Sequence, residues 1–245
     1  MRIVLTGGPA SGKSTIINRI MEEFEGVKLI PEVATSIFTY YKVAPPSDTS
    51  SMDFWKWLWS VQKLISMHQV SLEEHIFDTS TPHRLDEFVV VDRGLYDNVA
   101  YIRRIPYEIQ ERLYAEEGDK YKPIMNIHHA ISRIQKLAEG RHHFYDLVVI
   151  LKTTAHDKDL YEKLKASNPA RYETAEEAFE IEEKIVESYL VAKKMGLVGE
   201  VEYINTLDLD KKIETTMEVI RDAYNQFISD RKNLLDKYHM KNVER

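Results

Sequence analysis

Eight residues near the start constrain this chain more than any others. Gly7-Gly8-Pro9-Ala10-Ser11-Gly12-Lys13-Ser14 fits G-x-x-x-x-G-K-[ST] at every fixed position. An apolar strand, about Arg2 to Thr6 with Ile3-Val4-Leu5 at its centre, precedes it. A helix follows, with Ile16, Ile17, Ile20, Met21 and Phe24 on one stripe, and Gly26 stops it. Small residues let the loop backbone curl so that its N–H groups face an anion. The helix adds the positive end of its dipole. Lys13 can reach β- and γ-phosphates, and the Ser14 hydroxyl can ligate Mg²⁺. An ordinary glycine-rich turn explains the glycines but not a lysine and a hydroxyl at those offsets. Gly7 to Thr15 is therefore expected to hold the phosphates of a nucleotide, with Gly7, Gly8, Pro9, Ala10, Ser11, Gly12, Lys13, Ser14 and Thr15 as the binding residues.

The rest of the chain alternates strands and helices. Val27 to Ile30 reads as a short strand ended by Pro31. Phe88-Val89-Val90-Val91 and Leu147 to Leu151 are continuous apolar runs, as strands buried on both faces of a parallel sheet should be. Val201 to Ile204 is the fifth strand. Phe54 to Phe77 reads as a long helix, and the polar stretch Asp78 to Glu87 as a loop. A helix is expected from Ala175 to Met195, with Thr174 and Glu177 at capping-box spacing and Gly196 at its end. Right-handed crossovers then give one parallel α/β sheet. No linker stands out, so residues 1–245 are expected to form a single domain, with a helical insertion or cap at about 103–145.

Composition narrows the function classes. Lys plus Arg is 33 and Asp plus Glu is 40, a net charge of −7, which argues against a nucleic-acid coat. The absence of cysteine excludes disulfides, thiolate catalysis and iron–sulfur clusters. No apolar run approaches the ~20 residues needed to span a bilayer. The chain opens directly on a strand without a basic, apolar leader. These features lead us to expect a cytoplasmic protein without a membrane partner.

Two further positions carry candidate chemistry. Asp92 ends the apolar strand Phe88 to Val91, where an acid beside the phosphate loop can hold Mg²⁺. The plainer reading makes Asp92 a cap of the next helix and Arg93 a surface ion pair. Arg93 could instead contact a phosphate oxygen. Glu32 follows the second strand, at the sheet end that faces the same crevice, and could orient a hydroxyl or take its proton. A helix-end carboxylate is an equal alternative there. Trp55, Trp57 and Trp59 are read as core. His128-His129 and His142-His143 point apart within each pair and do not suit a metal.

Together these segments make the chain resemble the P-loop kinases of the nucleoside and nucleotide kinase type. That group includes thymidylate kinases, deoxynucleoside kinases and nicotinamide-riboside-kinase-like AAA-type ATPase domains. Gly7 to Thr15, Ile30-Pro31-Glu32, Val91-Asp92-Arg93-Gly94-Leu95-Tyr96-Asp97 and Pro169-Ala170-Arg171-Tyr172-Glu173 carry the resemblance. Gly7-Gly8 departs from thymidylate kinases, which have an acid there. The resemblance implies a P-loop NTPase fold with five parallel strands, helices on both faces and an arginine-bearing lid at about 165–174. It also implies transfer of the ATP γ-phosphoryl group, with Mg²⁺, to a small acceptor. Glu32 matches the family's base and Arg171 its lid arginine; with Lys13, Asp92 and Arg93 they form the expected catalytic set, and Ser14 with Asp92 the metal set. Two other functions fit the same motif: an ATPase acting as a nucleotide-dependent switch, and a kinase for a nucleic-acid end.

Overall fold

The computed structural model describes residues 1–79, 88–117, 123–137, 144–166 and 172–243. Five parallel strands form the sheet: β1 (Arg2–Gly7), β2 (Lys28–Ile30), β3 (Val89–Asp92), β4 (Tyr145–Leu151) and β5 (Val198–Ile204). Their order is β2-β3-β1-β4-β5. The chain leaves β1 and passes over β3 to reach β2, so the crevice beside the C-terminal end of β1 is open to a ligand.

The strands alternate between two buried faces. Ile3, Leu5, Phe88, Val90, Leu147, Val149 and Leu151 point to one core, shared with Ile16, Ile17 and Ile20 of α1 (Lys13–Glu23) and Met217 and Ile220 of α9 (Leu209–Val243). Val4, Val89, Val91, Val148 and Ile150 point to the other. That second face is covered by α3 (Met52–Thr79), α4 (Leu95–Ile102) and α8 (Ala175–Lys194). Burial on both sides is why these strands read as unbroken apolar runs. The fold is that of a P-loop NTPase.

Most elements lie where expected, with instructive differences. Met21 sits on the margin of the α1 stripe and is 42% exposed, while Phe24 turns in to pack edge-on against Phe88. The long helix α3 continues through Asp78 and Thr79, and residues 80–87 fall outside the described residues. β5 begins three residues early, at Val198. It is an edge strand whose Glu200 and Glu202 interrupt the apolar signal. Trp59 is buried and edge-on to Tyr114, as a core tryptophan should be.

The expected insertion contains α5 (Tyr107–Glu117) and α6 (Pro123–Leu137). Its Leu113, Ile127 and Ile131 join the core beneath α3 and α4. His128 is half-buried against Tyr96, and His142 and His143 lie outside the described residues. Among the described residues, no helix is long and apolar enough to cross a membrane.

Candidate functional site

The loop between β1 and α1 takes its shape from two sterically demanding places. Gly7 has φ 145°, and a Cβ there would lie 2.3 Å from the Leu151 carbonyl oxygen. Only glycine lets β1 run this close to β4. Ala10 and Gly12 then adopt left-handed conformations, φ 58° and 90°, on either side of Ser11. Such alternation turns successive N–H groups towards one concavity. Pro9 to Thr15 line a cavity of about 650 Å³. Gly7 and Gly8 are buried behind it. The Lys13 ammonium lies 3.4 Å from the Ser11 hydroxyl. Burial, with help from the nearby Arg93, lowers its pKa to about 8, so it still carries its charge at neutral pH.

Asp92 enters through sheet register. β3 pairs with β1 so that Asp92 stands opposite Leu5, two residues before the loop begins. It is not a helix cap. Gly94 caps α4, and Asp97 supplies the capping-box carboxylate, accepting from the Gly94 N–H at 3.1 Å. Asp92 Oδ1 is buried without a hydrogen-bond partner. Burial raises its pKa to about 6, against the pull of Lys13. A buried carboxylate oxygen left unsatisfied beside a phosphate loop suits a cation. Ser14 is exposed to the same cavity. Among the described residues no three His, Asp or Glu cluster into a metal cage. A cation here would therefore rest on Ser14, Asp92 and the nucleotide's own oxygens, as Mg²⁺ commonly does.

Arg93 turns inward rather than pairing on the surface, with its side chain 12% exposed. Its Nε donates to Glu32 Oε1 at 2.6 Å, and its Nη1 donates to Asp97 Oδ1 and to the Gly7 carbonyl, both at 3.1 Å. Its φ of 65° is left-handed, a strain of roughly 1–3 kcal/mol for a non-glycine residue. The surroundings hold it there: its N–H donates to Leu5 at 3.1 Å, and Gln69 donates to its carbonyl. Gly94 must be glycine, because a Cβ would lie 2.5 Å from the Tyr189 hydroxyl and 3.0 Å from that of Tyr145.

Glu32 sits at the N-terminus of α2 (Val33–Tyr41), but its carboxylate faces Arg93 and accepts from the Thr35 hydroxyl at 2.6 Å. Burial alone would raise its pKa; Arg93 and Lys13 outweigh burial and bring it down to about 2. The same cavity is lined by Gln62, Gln69, Asn98, Tyr101, Tyr172 and Glu173. Phosphate loop, Asp92, Arg93 and Glu32 thus share one chamber. Arg171 lies outside the described residues, as does most of the expected lid; Tyr172 and Glu173 at its end reach the cavity wall. None of the described residues 103–137 lines the chamber.

Several polar groups escaped the sequence reading. On α3, Ser66, Gln69 and Glu73 are buried, and with Gln62 they fall on one face of the helix. Their helical spacing, running beside the apolar Phe54, Leu58, Val61 and Ile65, was the available signal. Gln69 binds Asn98 and Glu73 at 2.9 Å each, and the Tyr145 hydroxyl donates to Glu73 at 2.8 Å.

A family model described as an AAA domain matches residues 2–193. No curated protein matches the chain. Among solved structures, it is similar to a deoxyadenosine kinase from M. mycoides with dCMP and dCDP bound. There the TM-score is 0.55 and the identity 15%, over 91% of this chain and 100% of that one. It is also similar to a thymidylate kinase from Candida albicans, with a TM-score of 0.52 and 16% identity over 93% of this chain and 92% of that one. A dCTP-bound form of the M. mycoides enzyme gives a TM-score of 0.52 at 14% identity, over 91% and 100% of the two chains. At such identities the likeness speaks for the fold.

Proposed function

Because the chain belongs to the AAA domain family and has the fold seen in nucleoside and nucleotide kinases, we propose that it is a phosphotransferase. It uses ATP with Mg²⁺ and acts on a small acceptor, a nucleoside, nucleotide or related metabolite. One observation carries this reading: the phosphate loop and the Glu32–Arg93 pair open onto one cavity of about 650 Å³, large enough for two small ligands end to end. We read residues 1–245 as one catalytic unit, at work in the cytoplasm.

In this reading, N–H groups of the loop and Lys13 hold the β- and γ-phosphates. Ser14 and Asp92 hold the Mg²⁺ that arrives with the nucleotide and neutralises charge on its oxygens. Arg93, at the boundary between the two halves, stabilises the transferring group. Arg171 is assigned to closure over the phosphates from the family motif. Glu32 meets the acceptor hydroxyl. While Arg93 and Lys13 hold its pKa near 2 it is a weak proton acceptor, so its first task is to orient the hydroxyl. An incoming phosphoryl group shares the charge of those two cations and restores basicity to the carboxylate. In a loose transition state the hydroxyl proton leaves late, which suits this order.

A thermal-shift panel tests the reading. It combines Mg²⁺, a non-hydrolysable ATP analogue and a library of nucleosides, nucleotides and related metabolites. At about a hundred times Kd, the analogue should raise Tm by roughly 5–10 °C. A true acceptor should add a further shift in its presence. A response to the analogue with no response to any small acceptor would favour the switch reading.

A further inference from the structure

The carbonyls of the phosphate loop show a pattern that the motif does not contain, made in part by Thr154 and Lys212, which themselves reach the cavity wall. Three consecutive carbonyls are each taken by a side chain from elsewhere in the fold. The Thr153 hydroxyl donates to Pro9 O, the Thr154 hydroxyl to Ala10 O at 3.1 Å, and the Lys212 ammonium to Ser11 O at 3.0 Å. Thr153 and Thr154 follow β4, and Lys212 lies in the first turns of α9. A trans peptide is planar, with its N–H opposed to its C=O. Holding Pro9 O, Ala10 O and Ser11 O towards these donors therefore turns the N–H groups of Ala10, Ser11 and Gly12 the opposite way.

The donors are themselves fixed. Glu182 on α8 is buried; it accepts from the Thr153 N–H, and from the Tyr203 hydroxyl at 2.8 Å. His156 Nε2 lies 3.1 Å from the same carboxylate. Lys212 donates a second hydrogen bond, to Lys152 O at 2.8 Å, and is only 1% exposed. A lysine spent on two carbonyls, in a site this buried, is an expensive way to make a surface turn.

We propose that Thr153, Thr154 and Lys212 are positioning residues for the phosphate loop, holding its amides towards the anion before nucleotide arrives. The inference rests on the reading of the loop as a nucleotide site. The loop's glycines permit the curled shape, and these three side chains select it from the other shapes that glycine also allows. Preorganisation of this kind lowers the ordering cost of binding, so it acts on nucleotide affinity.

The test is calorimetric titration of a Mg²⁺–ATP analogue into the full chain and its Thr153→Val, Thr153→Ser, Thr154→Val and Lys212→Met variants. Melting temperatures without ligand are recorded alongside. Thr153→Val and Thr154→Val should each weaken binding by about tenfold, the worth of one lost hydrogen bond. Thr153→Ser, which keeps the hydroxyl, should bind within about twofold of wild type by the same measure. A merely structural role would lower the melting temperature without changing Kd of the folded protein. Thr154 lies nearer the surface than Thr153, so Thr154→Val carries the test if Thr153→Val fails to fold. Wild-type affinity in every folded variant, or equal weakening by Ser and Val at 153, would overturn the proposal and leave nucleotide binding standing. Failure of the wild-type chain to bind the analogue would overturn both.

Discussion

On the proposed phosphate side of the cavity, consecutive residues from Pro9 to Thr15 form the wall, with Gly7 and Gly8 buried behind them. On the proposed acceptor side, Glu32, Gln69, Arg93, Asn98 and Glu173 come from separate stretches of the chain and meet only through the fold. The phosphate side is shaped by local backbone conformation; the acceptor side is shaped by long-range ion pairs and buried amides. A loop of the first kind binds one chemical group, phosphate, wherever it occurs. A wall of the second kind can be rebuilt one side chain at a time, and we propose that it selects the acceptor. The two sides meet at Arg93, which touches Gly7 of the loop and Glu32 of the wall.

Substitutions at the two sides should separate these roles. The largest effect is expected on the acceptor side. Glu32→Gln should bind an ATP analogue normally, yet lose about 10²- to 10⁴-fold in transfer to the acceptor. Slow hydrolysis of ATP by water should persist. Normal transfer rates with normal acceptor affinity would leave Glu32 as a helix-end carboxylate.

Lys13→Ala comes next, on the phosphate side. It removes a preorganised charge worth about 3–4 kcal/mol in the transition state, a few hundredfold in rate. The fold should survive, because Lys13 faces the cavity. Turnover within threefold of wild type would contradict the assignment.

Asp92→Asn keeps the shape of the side chain and removes its charge. The Mg²⁺ concentration for half-maximal rate should rise by about tenfold, as for loss of one charge-assisted contact. Superimposable Mg²⁺ titrations would mean that Asp92 does not hold the cation.

The last effect concerns stability rather than rate, behind the acceptor wall. Glu73 is fully buried against Tyr145 and Gln69, and burial raises its carboxyl from 4.5 to about 8. The folded chain thus keeps a proton that the unfolded chain releases near pH 4.5. This contribution to stability is complete below about pH 4.5 and drains away as pH rises towards 8. Urea midpoints of wild type should fall over that window relative to Glu73→Gln, with a slope difference of up to about 1.4 kcal/mol per pH unit. Parallel profiles would mean that Glu73 is ionised in the fold.

The same contrast explains what the sequence could reveal. The loop, the strand Phe88 to Val91 and the Thr174–Glu177 capping box are local patterns, and all three are found where local physics puts them. β5 was half-hidden because an edge strand carries glutamates on its open face. Arg93 also admitted a surface reading, since its partners Glu32 and Gly7 are distant in sequence and only the pairing of β3 with β2 and with β1 brings them together. Thr153, Thr154 and Lys212 carry no motif at all; what they bind is backbone.

One experiment addresses the central claim directly. The protein is incubated with γ-labelled ATP, Mg²⁺ and pooled nucleosides, nucleotides and related metabolites, and the label is followed by chromatography. Phosphoryl transfer predicts that label appears on a small organic acceptor, and that Lys13→Ala and Glu32→Gln each abolish that product. Label released solely as inorganic phosphate, at a rate indifferent to every acceptor pool and to Glu32→Gln, would contradict the account and make the protein a nucleotide-hydrolysing switch.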